Sequence, residues 1–300
     1  MNIAFCFDDN YVMPYLVCMV SILENNKSEK ISFYLITTGL KDENIKKFTK
    51  MADIYGQKVF VKIISSDLYN ELPYDKKYSY ATYNRFMIPK VVDVSKILYL
   101  DGDIIVRKNL SELWNTNLDD FACAVVEDQR ADDIIIHNRL KIDSTYFNSG
   151  VQLMNLDYWR KNDIGKMLIQ FLRDFPERCL YMDQDAANAK LEGKLLFLDY
   201  KYNVQEDWFL PPSRYLIHYS KWEKVFNAIK EPAIVHFCRE LKPWYKECVH
   251  PYKSEFVQYA SMYDFIGYKE LDYKKNTHSL AYRLVYPFFY FFSGVLSRLK

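Results

Sequence analysis

The stretch KILYLDGDIIV at residues 96–106 places two aspartates one residue apart within an otherwise apolar run. Burying an unpaired carboxylate is costly, and two neighbouring carboxylates also repel each other. Residues i and i+2 of an extended chain project to the same side, so Asp101 and Asp103 can address one cation. The spacing alone is weak evidence, because a second Asp-x-Asp triplet occurs at Asp183 and Asp185. A bound divalent metal and a solvated strand end are therefore both open at this point.

Apolar, β-rich segments alternate with helical patterns on both sides of this stretch. The predicted strands cover residues 3–7, 31–37, 59–64, 96–100, 121–126, 151–156 and 234–238, and the predicted helices cover 14–24, 42–55, 78–88, 157–175 and 183–191. The strands are apolar on both faces, which is typical of a parallel sheet covered by helices. We therefore predict an α/β fold in which the Asp-x-Asp pair lies at the carboxyl edge of the sheet, where such folds bind ligands. Residues 204–232 show no clear periodicity, and we expect a surface excursion there.

The composition is typical of a soluble globular protein. The 300 residues are 50% hydrophobic and 26% charged, with a formal net charge of +1, so no overall field favours a nucleic-acid partner. The six cysteines show no CxxC pair, and we expect buried free thiols and a reducing compartment. The amino-terminal run lacks a basic region and meets Asp8 and Asp9 too early for a signal peptide. These features predict a cytoplasmic protein.

The end of the chain has a different composition. Residues 280–300, LAYRLVYPFFYFFSGVLSRLK, are densely aromatic, and no acidic residue follows Asp272. The uncharged run 284–296 is shorter than the roughly 20 residues that span a bilayer. We expect a domain at residues 1–265 and a helical tail at 266–300 that lies on the membrane surface, with Arg283 and Arg298 facing anionic headgroups. Docking of the tail on the core or on another subunit is the alternative.

The sequence contains neither GxGxxG nor GxxxxGK[ST], and it has only eight glycines. If the sheet binds a nucleotide, the phosphates then need another positive partner, such as a divalent metal held by carboxylates. His236, in the apolar run 234–238, could be a third metal ligand, and Lys242 could reach a phosphate oxygen. A histidine in a strand is also commonly a hydrogen-bonded core residue, so the residues alone leave both roles open.

Six segments occur in an order and spacing that resemble family 8 glycosyltransferases. These are retaining enzymes with a GT-A fold, and they include bacterial lipopolysaccharide galactosyl- and glucosyltransferases and glycogenin. The segments are FDDNY at 7–11, ATYNR at 81–85, LYLDGD at 98–103, FNSG at 147–150, DQD at 183–185 and HFC followed by KPW at 236–244. Each is weak alone, whereas the ordered set is specific and covers about residues 1–260. The resemblance implies a Rossmann-like nucleotide-diphospho-sugar transferase fold.

The resemblance also implies a role for each matching residue. Asp101, Asp103 and His236 would hold Mn²⁺, or Mg²⁺, on the diphosphate of a UDP-sugar, with Asp101 also near the ribose. The donor, UDP-glucose or UDP-galactose, would be bound by the remaining matching residues: Asp8 and Asn10 at the uridine, Lys242 at the phosphates, and Arg85, Asn148 and Asp183 at the sugar. Gln184 would lie beside the anomeric carbon.

The implied reaction transfers a hexose to a hydroxyl with retention of the anomeric configuration. Because an amide is a poor nucleophile, we expect front-face attack beside Gln184, with Asp185 as the alternative nucleophile. The loops at 128–145 and 204–232 are expected to bind the acceptor. A lipopolysaccharide or lipid-linked glycan at the cytoplasmic face of the membrane suits the aromatic and basic tail, and a protein acceptor is the variant of this hypothesis.

Arg239 departs from the family pattern, which usually has a small residue, often glycine, at this position. Its guanidinium could contact a phosphate, turn outward or crowd the site. A non-catalytic relative that binds UDP-sugars is therefore an alternative function. A phosphatase that uses the Asp-x-Asp pair is disfavoured, because Ile104 and Ile105 follow the pair here instead of Gly-Thr.

Overall fold

The computed structural model describes residues 1–70, 72–73, 79–209 and 218–273. The expected membrane contact of the tail falls on residues 274–300, outside the described residues. The same holds for Tyr78 at the start of a predicted helix and for 210–217 within a predicted acceptor loop. Among the described residues, no helix combines the length and the hydrophobicity that crossing a bilayer requires.

Within the described residues, the strands form two sheets. The large sheet has the order β3-β2-β1-β4-β7-β6-β8, and the small sheet has the order β5-β10-β9. The strands are β1 (Asn2–Cys6), β2 (Ser32–Thr37), β3 (Lys58–Ile63), β4 (Lys96–Leu100), β5 (Ile104–Val106), β6 (Cys123–Glu127), β7 (Phe147–Asn155), β8 (Leu195–Phe197), β9 (Val204–Gln205) and β10 (Ile234–His236).

The α-helices are α1 (Val12–Asn25), α2 (Asp42–Ile54), α3 (Ile88–Val91), α4 (Ser111–Trp114), α5 (Ile134–Leu140), α6 (Leu156–Lys161), α7 (Ile164–Asp174), α8 (Met182–Lys190), α9 (Trp222–Lys230) and α10 (Lys253–Ala260). Short 3₁₀ helices lie at Asp9–Tyr11, Ser66–Tyr69, Tyr80–Met87, Pro176–Arg178, Tyr200–Tyr202, Glu206–Phe209, Tyr219–Lys221 and Asp264–Ile266.

The direction of one central strand differs from the prediction. β1 pairs in parallel with β2 and β4, and β2 pairs in parallel with β3, as the β/α alternation predicts. β7 runs antiparallel to both β4 and β6, so the prediction of a parallel sheet is wrong at this strand. An apolar pattern on both faces indicates a strand buried on both sides and carries no information on its direction.

Two predicted helices also differ in detail. The predicted helix at 157–175 is two helices, α6 and α7, because the backbone of Asp163 adopts a left-handed conformation with φ 48°. Aspartate tolerates this conformation better than most residues, so it can end a helical run without glycine. The predicted helix at 78–88 is a 3₁₀ helix at Tyr80–Met87 in its described part.

The prediction of a surface excursion at 204–232 is wrong for residues 204–209, whereas residues 218–220 are exposed. Val204 and Trp208 are fully buried, and β9 pairs with β10 inside the small sheet. Residues 204–209 bury most of their side chains through a two-residue strand and a 3₁₀ helix, neither of which is long enough to give a recognisable hydrophobic period.

α1 anchors the edge of the sheet on which the aspartates lie. Ten consecutive residues of this helix, 14–23, are buried, and the helix packs against β5 and α10. Beyond it, Ile266 lies in the same core and Leu271 forms a bridge with Tyr245. The described start of the predicted tail therefore packs on the domain. All six cysteines are free thiols, as expected, and five are buried.

His250 is a buried histidine whose ionisation couples folding to pH. It is 3% exposed, and its ring lies edge-on to Phe237 with centroids 4.5 Å apart. Burial lowers the pKa of His250 from its usual 6.5 to about 3. Between pH 6.5 and 3, the unfolded chain therefore binds a proton at His250 that the folded chain does not bind. The contribution of neutral His250 to the free energy of unfolding is fully present above pH 6.5 and is lost as the pH falls from 6.5 towards 3.

We expect the free energy of unfolding to decline less steeply with acid in a His250→Gln variant than in the wild-type protein. At pH 5.5, one unit below the pKa of His250 in the unfolded chain, the wild-type protein should lose about 1.4 kcal/mol of its free energy of unfolding through His250. The variant should not show this loss. Urea unfolding of both proteins at pH 7.5 and 5.5 measures the difference, since all other titrating groups are shared. Equal losses in the two proteins would contradict the assignment.

Candidate active site

The candidate site begins where β4 ends. Asp101 and Asp103 follow Leu100, the last residue of β4, with Gly102 between them. A Cβ atom on Gly102 would lie 2.7 Å from the ring of Tyr15 in α1, so the turn that presents both carboxylates requires glycine against this buried helix. The strand exit predicted from the sequence is thus shaped by α1.

The small sheet brings His236 to the two aspartates. β10 pairs antiparallel with β5, and His236 is opposite Ile104, the residue after Asp103. The His236 Nε2 atom lies 3.3 Å from Asp103 Oδ1 and 3.9 Å from Asp101 Oδ2. The three ligand atoms all lie within 4.8 Å of one another. Two carboxylate oxygens and one imidazole nitrogen at this separation fit a divalent cation such as Mn²⁺.

Gly150 of β7 lacks a side chain that would clash with His236 and Asp101. A Cβ atom at this position would lie 2.3 Å from His236 Cε1 and 2.9 Å from Asp101 Oδ2. The Gly150 carbonyl also accepts the Asp101 backbone N–H at 2.9 Å. The sequence marks Gly150 only as the last residue of the FNSG segment, and its steric role becomes visible only when β4, β7 and β10 are together.

Lys242 adds a positive charge beside the aspartates. Its Nζ atom donates to Asp103 Oδ2 at 2.5 Å and to the Phe237 carbonyl at 2.7 Å. Burial favours a higher pKa for Asp103, but the charge of Lys242 and its hydrogen bond outweigh this effect and hold that pKa well below its usual value. Burial also favours a lower pKa for Lys242, and attraction to Asp103 reverses this as well. The ammonium group is therefore charged and fixed next to the candidate metal ligand.

Arg85 joins Asp101 to Asp183. Its Nη2 atom lies 3.1 Å from Asp101 Oδ1, and its Nη1 atom lies 2.9 Å from Asp183 Oδ2 and 2.9 Å from the Ser149 carbonyl. The guanidinium also lies over the ring of Tyr99, 4.3 Å from its centroid. Burial raises the pKa of Asp183 despite the charge of Arg85. The structure thus brings three predicted donor-binding residues into one ion-paired cluster.

Gln184 lies in an adjoining polar cluster. Its Oε1 atom accepts the Ser149 N–H at 2.9 Å, and its Nε2 atom donates to Asp128 Oδ2 at 3.2 Å and to the Tyr146 hydroxyl at 3.0 Å. Asp128 and Asn148 are both buried, and Asn148 Nδ2 donates to Asp128 Oδ2 at 3.1 Å. Burial raises the pKa of Asp128. Asp128 was not predicted as a site residue, because nothing in the sequence around it distinguishes this acid from the others in the predicted acceptor loop 128–145.

Asp185 is fully buried, and both of its carboxylate oxygens accept hydrogen bonds. The Tyr146 hydroxyl donates to Oδ1 at 2.6 Å, and Arg139 Nη2 donates to Oδ2 at 2.8 Å. The Tyr181 N–H donates to Oδ2 at 2.7 Å. This carboxylate is an internal support of the Gln184 cluster in the structure, and its zero exposure is unfavourable for a nucleophile.

Asp8 and Asn10 lie at the end of β1, the parallel neighbour of β4. Asp8 caps the 3₁₀ helix Asp9–Tyr11 by accepting the Asn10 N–H at 2.9 Å. It also accepts a hydrogen bond from the Ser79 hydroxyl at 2.5 Å. Tyr11 lies edge-on to Trp244, with ring centroids 5.9 Å apart. This contact connects the Asp8 segment with the loop that carries Lys242. Asn10 itself is exposed.

Arg239 forms contacts that its position in the sequence does not predict. Its Nε atom donates to Asp207 Oδ1, and its backbone N–H donates to Glu206 Oε2 at 3.3 Å. The two acids follow β9, 32 and 33 residues earlier in the chain. The side chain that departs from the family pattern is therefore paired with a carboxylate in this protein.

Comparisons with known proteins place most of the chain in one family. The model of the glycosyl transferase family 8 matches residues 2–248. General stress protein A of Bacillus subtilis is 30% identical over 271 residues, which cover 87% of this chain and 93% of that protein. The lipopolysaccharide 1,3-galactosyltransferase of Salmonella typhimurium is 29% identical over 274 residues, which cover 87% of this chain and 77% of that protein.

The fold is also found among solved structures. The crystal structure of the galactosyltransferase LgtC, in complex with donor and acceptor sugar analogs, superposes with a TM-score of 0.79. The match has 24% sequence identity and covers 94% of this chain and 99% of that chain. It confirms the predicted α/β GT-A fold. The match to the family model across most of the chain identifies the protein as a member of glycosyl transferase family 8.

Proposed function

We propose that this glycosyltransferase moves a hexose, glucose or galactose, from a UDP-sugar to a hydroxyl of a glycan or glycolipid, with retention of the anomeric configuration. The observation that carries the proposal is the convergence of Asp101, Asp103 and His236, with Lys242 and Arg85 beside them. A related protein named as a lipopolysaccharide 1,3-galactosyltransferase supports a hexose donor and a glycan acceptor.

The charges of the cluster suit a metal-bound diphosphate. Asp101, Asp103 and Asp183 face two cations, Lys242 and Arg85, which leaves one negative charge. A divalent cation would change this to a net positive charge that favours an anionic phosphate. We assign Mn²⁺, or Mg²⁺, to the Asp101, Asp103 and His236 set. When bound, the cation supplies Lewis-acid stabilisation of the charge that develops on the departing diphosphate.

Residues of the chain bind the rest of the donor in this proposal. Lys242 contacts the phosphates, and Asp8 and Asn10 at the neighbouring strand end bind the uridine. The sugar lies against the cluster described above, where Arg85, Asn148 and Asp183 donate or accept hydrogen bonds. Because these groups are already held by the protein, little reorganisation is needed when the donor binds.

In this proposal, Gln184 lies beside the anomeric carbon and does not act as a nucleophile. Its amide is held on both sides, by the Ser149 N–H and by Asp128 and Tyr146. An amide oxygen that already accepts a hydrogen bond is a weak nucleophile, and the Asp185 side chain is fully buried. We therefore favour front-face attack, in which the acceptor hydroxyl adds on the side that the diphosphate leaves and gives its proton to a leaving phosphate oxygen.

The acceptor is proposed to be presented at the cytoplasmic face of a membrane. Tyr273, the last described residue of the predicted tail 266–300, donates its hydroxyl to Glu240 Oε2 at 2.9 Å. Glu240 directly follows Arg239 in the Lys242 loop, so the described part of the tail ends beside the candidate site. A lipopolysaccharide or lipid-linked acceptor fits this arrangement better than a soluble protein acceptor. The free cysteines are consistent with a reducing compartment.

We expect the protein to release UDP from UDP-glucose or UDP-galactose when Mn²⁺ is present, and EDTA to abolish the release. Asp103→Asn should lower the rate by roughly 100-fold, because it weakens the stabilisation of the leaving group while keeping the side-chain shape. Asp199→Asn, at an exposed position, is the matched control and should keep the wild-type rate. A coupled assay of UDP formation measures the rates, and proton NMR of the product measures its anomeric configuration.

Three results would refute parts of this proposal, and a fourth would favour another function. Metal-independent UDP release, or an undiminished rate in Asp103→Asn, would remove the metal role. A β-linked product from the α-linked donor would remove retention. Failure of all UDP-sugars in the assay would instead favour a non-catalytic relative.

We expect Arg239→Gly to change the donor KM by less than tenfold, because Asp207 already neutralises the guanidinium. The variant should lose about 1–3 kcal/mol of folding stability, since the Asp207 side chain, only 14% exposed, then lacks this partner. The double variant with Asp207→Asn should recover part of that loss. Donor titrations and urea unfolding give the two readouts. A larger rise in the donor KM would show that Arg239 binds the donor directly.

Deletion of residues 280–300 should abolish co-sedimentation of the protein with vesicles that contain anionic lipid. The full chain should bind these vesicles, bind neutral vesicles less, and dissociate as salt is raised, because basic side chains near anionic headgroups are screened by salt. Retained UDP release by the deletion variant would show that its domain is folded. Equal vesicle binding by both proteins would contradict the membrane role of the tail.

A further inference from the structure

A chain of hydrogen bonds leads from a backbone amide of β7 to the candidate metal ligand His236. The Gly150 N–H donates to Asn148 Oδ1 at 3.0 Å. A backbone N–H can only donate, so this contact identifies the oxygen of the Asn148 amide. The nitrogen on the other side donates to Asp128, a carboxylate that can only accept when ionised. The orientation of the Asn148 amide is therefore fixed from both ends.

Asn203 transmits this orientation to the imidazole. Its Nδ2 atom donates to Asn148 Oδ1 at 2.9 Å, and its Oδ1 atom lies 3.1 Å from His236 Nδ1. Asn203 is fully buried, directly before β9, which pairs with β10. Because an amide oxygen only accepts, the neutral His236 ring must carry its proton on Nδ1. The Nε2 atom then presents a lone pair towards Asp101 and Asp103.

We propose that Asn203 is a positioning residue that holds His236 in the tautomer able to bind a cation through Nε2. Without Asn203, the Nε2–H tautomer would be favoured, because it can donate to Asp103 Oδ1, 3.3 Å away. That proton would occupy the place of the metal and would have to leave before the ion binds. The metal part of this inference rests on the proposed function, whereas the tautomer part rests on the hydrogen bonds alone.

The two parts are separated by two measurements. Long-range proton–nitrogen NMR of the metal-free, ¹⁵N-histidine-labelled protein, at a pH where the ring is neutral, reports which nitrogen of His236 is protonated. Titration with Mn²⁺, followed by electron paramagnetic resonance of the free ion, reports the metal affinity without any turnover. His236→Ala assigns the NMR signal and should remove the high-affinity Mn²⁺ site.

The wild-type ring should be protonated on Nδ1. Asn203→Leu, which has a similar size but no acceptor, should move the proton to Nε2 and weaken Mn²⁺ binding by roughly 10–100-fold. Asn203→Asp keeps an acceptor for Nδ1–H and should retain the wild-type tautomer, with a Kd closer to wild type than to the leucine variant. Asn26→Leu removes another buried asparagine, which bonds to Ile22 and Leu110, and should change neither readout.

An Nε2–H ring in the wild-type protein, or an unchanged tautomer and Kd in Asn203→Leu, would overturn the inference. If the leucine variant does not fold, Asn203→Asp decides, since an Nε2–H ring in that variant also overturns it. A wild-type protein with the Nδ1–H ring that binds no Mn²⁺ would support the tautomer assignment and would refute the metal site of the proposed function.

Discussion

The repulsion between Asp101 and Asp103 is the constraint on which the rest of the site depends. The two carboxylates leave the same strand one residue apart, and each is compensated from a different part of the fold. Arg85 lies against Asp101, Lys242 lies against Asp103, and His236 lies between them. Each partner arrives on a separate element, so the site forms only when the two sheets are packed together around α1. A cation shared by both carboxylates is the remaining compensation that this arrangement favours.

Hydrogen bonds also link the candidate metal ligands to the cluster around Gln184, where we propose that the donor sugar binds. The Asn148 side-chain oxygen accepts hydrogen bonds from the Gly150 N–H and from the Asn203 side chain. The Asn148 side-chain nitrogen donates to Asp128, which also accepts a hydrogen bond from Gln184. The candidate metal ligand His236 and Gln184, which we propose to lie beside the anomeric carbon, are therefore held by one continuous set of hydrogen bonds. A movement of His236 would therefore disturb the hydrogen bonds of Gln184, and the reverse also holds. This coupling favours a preorganised site.

Much of this could be predicted from the sequence, because the decisive residues follow recognisable strands. Asp101 and Asp103 follow an apolar run, and His236 ends another, so their convergence is predictable once the order of segments is recognised. Asp128 and Asn203 were not predicted, since both act through contacts with residues that are distant in sequence. The direction of β7 was missed for a related reason, because burial on both faces gives the same pattern in parallel and antiparallel strands. The pairing of Arg239 with Asp207 likewise depends on tertiary contacts that local pattern does not encode.

We propose that Asp101, Asp103 and His236 hold one divalent cation on the diphosphate of the donor. An anomalous-difference map, at the manganese absorption edge, of crystals grown with Mn²⁺ and UDP would locate this cation. We expect one peak bonded to an oxygen of each aspartate, to His236 Nε2 and to the diphosphate. A UDP complex with no peak among these three residues, or with manganese bound elsewhere, would contradict it.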